Sequence, residues 1–389
     1  MRQLISALLC AAASTLPAQT LQTIPQRAAY TIAALPNTAA ALQKGHHEEF
    51  QLWAVQSLYL RGLDQHAETL ALAALPHMHE PAHPDDDSFK VISALDLLER
   101  WQSHFTPSTA KAFESTLTQF PYWNASHTSN QLLMSAAARF LASEAYPHAT
   151  IASPFTPEDP TGRAYLLCLT TQIATHNLQE FDSDVYSAAY FISLRTLADF
   201  ARDPQVKQQA ALTYDWLLIN AASTWMHATW AATSFRRYFD IVPQNQMEHG
   251  SFALWPWFGG PTPGANFNIE HTLGAIQDAA ACHCVPTLHP ADGPTYIPRP
   301  EILDLIAASS TLPHYEFRAR TVTPSRPTFQ FMQTSYITPN YALIGEADYE
   351  TATHTKQSTP GSGAAVLSAV LWTPPPPHRP APRRVAAPA

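Results

Sequence analysis

The segment Glu180-Phe181-Asp182-Ser183-Asp184-Val185-Tyr186 places carboxylates, a hydroxyl and a phenol at the head of a long amphipathic run. Upstream, Ser129-Asn130-Gln131 opens another helix-like run. Downstream, Arg236-Arg237-Tyr238 sets two guanidinium groups beside a phenol. An acidic, hydroxyl-rich helix start facing Asn, Arg and Tyr groups suits a sugar acid, because arginine forks match carboxylates. A tyrosine near a cation can also exchange protons, since the positive charge lowers its pKa.

Each of these residues also has a structural reading. Asp182, Tyr186 and Tyr190 are spaced i, i+4, i+8 and share one helix face. Asp182 or Ser183 can cap that helix while the two aromatics pack against a neighbour. Asn130 can be a cap or first-turn residue, Glu180 a solvated residue ahead of the helix, and Arg236-Arg237 an exposed loop pair. Trp255 and Trp257 can stack on sugar rings, as can Trp225 and Trp230, or serve as core material.

Metal chemistry is poorly supported. Cys282-His283-Cys284, with His289 nearby, has thiols two apart, whereas zinc ligands are usually separated by two to four residues. His46-His47 with Glu48-Glu49, and the group His77, His79 and His83, match no established ligand spacing and read as surface histidines. No metal and no cofactor are expected.

Composition narrows the partners. The 389 residues are 46% hydrophobic and only 14% charged, with 34 Pro and 18 His, enough for one large core or a core plus a smaller domain. A net charge of -9 without a basic stripe would repel nucleic acid. Met1-Arg2-Gln3, an apolar run from Leu4 to Ala13 and the small-residue site Leu16-Pro17-Ala18 have the outline of a secretory signal peptide over 1–18. The protein is therefore expected to be secreted or periplasmic, with no membrane span. Leu9 before Cys10 argues against a lipid anchor. The remaining Cys168, Cys282 and Cys284 are too few for a disulfide framework.

The elements that must position these groups are mostly helical. Apolar residues recur at helical spacing over Phe50–Leu60, Val91–Trp101, Leu132–Leu141, Ala164–Ile173, Ala188–Phe200 and Ala210–Leu218. Asp87-Ser88, Pro107-Ser108 and Asp203-Pro204 are helix starts. Short connections predict antiparallel neighbours. Regular pattern stops between Phe235 and Gly264, where Trp255-Pro256-Trp257-Phe258-Gly259-Gly260-Pro261 reads as a rigid turn. Further helices are expected over Ile269–Ala281 and Glu301–Ala308. After Pro313 the period changes to alternation over Tyr315–Val322, Thr328–Met332 and Tyr341–Ile344, which predicts strands. The Trp372-Thr373-Pro374-Pro375-Pro376-Pro377 run begins a disordered tail.

Tyr122-Trp123, Ser129-Asn130, the Glu180–Tyr186 segment, Leu197-Ala198-Asp199 and Asp203-Pro204 together resemble bacterial heparinase II/III-like and alginate-lyase-like proteins. Ser335-Tyr336-Ile337-Thr338-Pro339-Asn340-Tyr341-Ala342-Leu343 resembles the start of that family's sheet domain. The resemblance implies a mainly α chain, with an incomplete (α/α) toroid of helical hairpins over 19–312. An incomplete antiparallel β-sheet domain would follow over 313–372 and a tail over 373–389. It also implies β-elimination on an acidic, uronic-acid-containing polysaccharide. Asn130 would bind the uronate carboxylate, Tyr186 would sit in the toroid cleft, and Arg236 with Tyr238 would form the downstream element. Glu180, Asp182, Arg237, Trp255 and Trp257 would contact substrate. Where the family commonly has His after the Asn, this chain has Gln131, so a catalytic imidazole would have to come from elsewhere, such as His127, His227 or His249.

Two other functions fit the same residues. A hydrolase would use Glu180 with Asp182 or Asp184, although inverting hydrolysis needs carboxyls about 6.5–9.5 Å apart. A non-catalytic glycan-binding, degenerate lyase-like protein would need no imidazole.

Overall fold

The computed structural model describes residues 23–27, 30, 48–79, 81, 84, 87–122, 128–177, 184–231, 249–261, 296–323, 326–348 and 366–371. The chain is mainly helical, with two small antiparallel sheets. The helices are α1 (Glu48–Leu60), α2 (Asp64–Ala74), α3 (Asp87–Trp101), α4 (Pro107–Gln119) and α5 (Ser129–Ala145). They continue as α6 (Arg163–His176), α7 (Asp184–Phe200), α8 (Pro204–Ser223), α9 (His249–Phe258) and α10 (Pro300–Ser310).

Local chemistry explains several boundaries. Thr106 caps α4 by accepting the Thr109 N–H, with Pro107 in the first turn. Asp203 caps α8 by accepting from Gln205 and Val206, with Pro204 following, as the sequence suggested. Gly162 holds φ +76 before α6, and a Cβ there would fall within 2.2 Å of the Phe155 ring.

Alternate helices form two rows. In the inner row, α1, α3, α5, α7 and α9 contact one another in that order. Hydrogen bonds fix their directions. Trp53 Nε1 meets Ser93 Oγ at 2.7 Å and Gln56 Nε2 meets Asp96 Oδ2 at 2.7 Å, so α1 and α3 are parallel. Thr196 Oγ1 reaches Asp96 at 3.1 Å and Arg100 reaches Asp199 at 3.1 Å, so α3 and α7 are parallel too. The Ser129 hydroxyl meets that of Tyr190 at one end of α5, and Glu144 accepts the Arg202 N–H at the other. Trp230 stacks on Phe191 and bonds Ser251, while Arg195 faces Trp257, so α9 follows the direction of α7. Outer helices return: Lys207 Nζ meets Asp199 O, and Tyr214 packs on Phe191, making α8 antiparallel to α7.

The core lies along the inner row. Every residue of α7 from Ser187 to Asp199 is buried, the signature of a helix enclosed on all sides. Outer α8 instead exposes Leu212, Trp216 and Ile219.

Two elements depart from the sequence expectation. The hairpin β1 (Trp225–Met226) and β2 (Thr229–Trp230) turns at His227 and Ala228, with φ of 49° and 67°. The supposed Trp255-Pro256-Trp257 turn is helical and forms the end of α9. Pro256 removes only one late hydrogen bond there, and Gly259 ends the helix at φ +73, its N–H reaching Trp255 O at 2.8 Å. Arg27, buried, donates to Pro256 O at 2.8 Å and Trp257 O at 3.0 Å, capping the negative end of the helix. The expected helix over Ile269–Ala281 lies outside the described residues.

The second sheet is an antiparallel meander of β3 (Tyr315–Thr323), β4 (Arg326–Ile337), β5 (Tyr341–Asp348) and β6 (Val366–Leu371). Gln333, Ser335, Ile337, Ala342 and Ile344 are buried while Thr334 and Leu343 are exposed, the period of two expected of a half-buried sheet. Ile337, Ala342 and Ile344 pack with Met226 and Ala231, and His227 Nε2 lies 2.6 Å from Pro339 O, so the hairpin joins the sheet to the helices.

Candidate functional site

Parallel packing brings the starts of the inner helices to one end of the protein. Asn130 is the second residue of α5, Tyr186 the third of α7, and His249 the first of α9. Three of the residues singled out in the sequence are therefore the opening residues of neighbouring parallel helices. Helix starts carry unpaired N–H groups and the positive end of the dipole, so this end favours an anion.

Asn130 is 1% exposed, and among the described residues its Oδ1 has no hydrogen-bond partner. Beside it, Ser129 bonds the hydroxyl of Tyr190, one turn beyond Tyr186. This contact ties the start of α5 to the first turns of α7. Trp255 is fully buried with its ring edge-on to Tyr30, and Trp257 is 4% exposed. Neither indole presents an open face for a sugar; both are packed in the main core. Glu180, Asp182, Arg236, Arg237 and Tyr238 lie outside the described residues. So do His127, Cys282 and Cys284, whereas Cys168 is an exposed free thiol.

A buried ionic centre lies deeper between α3 and α7, and the sequence reading did not single it out. Asp199 accepts from Arg195 Nε at 2.8 Å, from Arg100 Nη2 at 3.1 Å and from the Tyr296 N–H. Arg100 also meets Asp96 at 3.2 Å, and Asp96 accepts from Gln56 and Thr196. Arg195 stacks beneath Tyr296, its guanidinium carbon 5.4 Å from the ring centroid.

Opposing forces set these charges. Burial pushes the Asp199 carboxyl up, but Arg195 and Arg100, with hydrogen bonds from Arg195 and the Tyr296 backbone, hold it below the usual range. Burial lowers Arg195, yet Asp199 and the neighbouring tyrosine hydroxyls leave it above its ordinary value. Tyr296 is pushed well above the phenol range by burial and by its bond to Asp215. Both members of the pair are thus charged in the core. Their signal in the sequence was opposite charges at i, i+4 within apolar helices, Asp96 with Arg100 and Arg195 with Asp199, because a charge enclosed by apolar residues needs a partner.

Among the described residues no group of three metal-ligating side chains occurs, and no helix is long and apolar enough to cross a membrane. Compared with known proteins, the chain matches no family model, no curated protein and no solved structure.

Proposed function

We propose that this is a secreted or periplasmic protein with an (α/α) toroid that cleaves uronic-acid-containing glycans by β-elimination. The observation that carries the reading is the common direction of α1, α3, α5, α7 and α9, with Asn130, Tyr186 and His249 at the starts of three of them. An end built from positive helix dipoles suits a ligand bearing carboxylates. The alternation of inner and outer helices also supports the toroid.

In this reading the helix starts and Asn130 neutralise the uronate carboxylate, which makes the neighbouring C5 proton more acidic. A basic side chain takes that proton, the C4–O bond breaks, and a double bond forms between C4 and C5. Tyr186 gives a proton to the departing glycosidic oxygen, with Arg236 and Tyr238 completing the site.

A second reading, non-catalytic glycan binding, is favoured by Gln131, which stands after Asn130 where a catalytic imidazole would be expected. Incubation with alginate-, heparin- and pectin-like polymers separates the possibilities. A lyase raises ultraviolet absorbance through a new unsaturated uronate. Reducing ends without that absorbance indicate hydrolysis, and binding without cleavage indicates the second reading. No binding and no cleavage would overturn all three.

A further inference from the structure

His79 follows the outer helix α2 and its terminal turn, then returns to the first residue of α3. Its Nδ1 lies 2.6 Å from Asp87 Oδ2. The Asp87 side chain is 3% exposed and the imidazole 36% exposed, so a buried carboxylate orients a ring that solvent can reach. With the carboxylate accepting at Nδ1, that nitrogen carries the proton and Nε2 is left as the basic atom. Among the described residues nothing is bonded to Nε2. Phe120 packs edge-on against the ring, with centroids 6.3 Å apart, and limits its rotation.

The pair lies at the same end as the proposed site. Asp96 and Thr196 are level, in contact at 3.1 Å. Counting back along the parallel helices, Asp87 is about 13.5 Å from that level and Tyr186 about 15 Å, at about 1.5 Å per residue. Ser129, next to Asn130, meets Tyr190 one turn further on. Helices α3, α5 and α7 contact one another, and packed axes are about 8–10 Å apart, so these starts lie within the reach of one short oligosaccharide.

We propose that His79, oriented by Asp87, is the base that takes the uronate C5 proton; this rests on the lyase reading above. Nε2 accepts the proton, and the C5–H electrons form the C4–C5 double bond as the C4–O bond breaks. The departing oxygen takes the Tyr186 proton, and the imidazolium then returns its proton to the phenolate. Asp87 acts as a positioning residue and stabilises the imidazolium while it exists. The dyad supplies an imidazole where Gln131 does not.

The test is His79→Ala on a polymer that the wild type cleaves, with and without added imidazole. General-base loss is expected to lower kcat about 10²–10⁴-fold with KM little changed, and imidazole should restore part of the rate. Asp87→Asn should also lower kcat, without imidazole rescue. Binding of a short oligouronate and the thermal midpoint of His79→Ala should match the wild type. A wild-type rate in His79→Ala overturns the dyad and leaves the lyase reading intact. Loss of activity together with binding, and without rescue, also overturns it, since the role would then be structural. No unsaturated product from the wild type on any polymer overturns the lyase reading and the dyad's role with it.

Discussion

Arg195 and Asp199, one turn apart on α7, form an ion pair at 2.8 Å in which neither side chain is exposed to solvent. Removing one partner strands the other charge in the core. Asp199→Asn is therefore expected to destabilise the protein by about 3–5 kcal/mol, read as a lower denaturant midpoint. Because the folded pKa of Asp199 is depressed, its contribution is present above the unfolded carboxylate value and is lost as pH falls through the folded one. Acid should thus unfold the wild type more steeply than Asp199→Asn.

Glu99 should behave in the opposite sense. Its side chain is 8% exposed, and among the described residues its partner cation, on Arg202, is 3.9 Å away. Burial raises its pKa; Arg202 opposes this, and Glu144 and Asp96 add to it. A raised carboxyl costs stability as pH climbs from the unfolded value through the folded one. Glu99→Gln removes that cost and should stabilise the protein at pH 7 by about 1 kcal/mol. Thermal midpoints should converge below the ordinary carboxylate range, where Glu99 is protonated in both states.

Arg27 links the N-terminal residues 23–27 to the carbonyl end of α9 through two charge-assisted hydrogen bonds. Arg27→Ala leaves both carbonyls without that donor and should cost about 1.5–3 kcal/mol. Hydrogen exchange should speed up first in α9 and in the hairpin that packs on Gly259 and Gly260.

Helices α1, α3, α5, α6, α7 and α8 were legible because their apolar periodicity runs over several turns, and the starts of α3, α4 and α8 carry Asp-Ser, Pro-Ser and Asp-Pro signals. Asp203 shows this directly, capping α8 with its own carboxylate. The hairpin was hidden because His227 and Ala228 take left-handed backbone without the Gly or Asn that announces it. Helix α9 was hidden because Pro256 and its aromatic neighbours imitate a turn, and its cap is supplied by Arg27, more than 200 residues away. For the site, the sequence singled out Asn130 and Tyr186 but not their common end, which follows from parallel packing between residues some sixty positions apart. Nor did the sequence show that Trp255 and Trp257 are core residues, since an indole suits either setting.

The proposed cleavage of acidic glycans at the common end of the inner helices makes Tyr186 and Arg236 catalytic residues. It is tested most directly by the rate of unsaturated-uronate formation in wild type, Tyr186→Phe and Arg236→Ala. A rise in ultraviolet absorbance is expected with at least one uronate polymer, with a loss of about 10²-fold or more in each variant. Variants that match the wild-type rate, or a wild type that forms no unsaturated product, would contradict it.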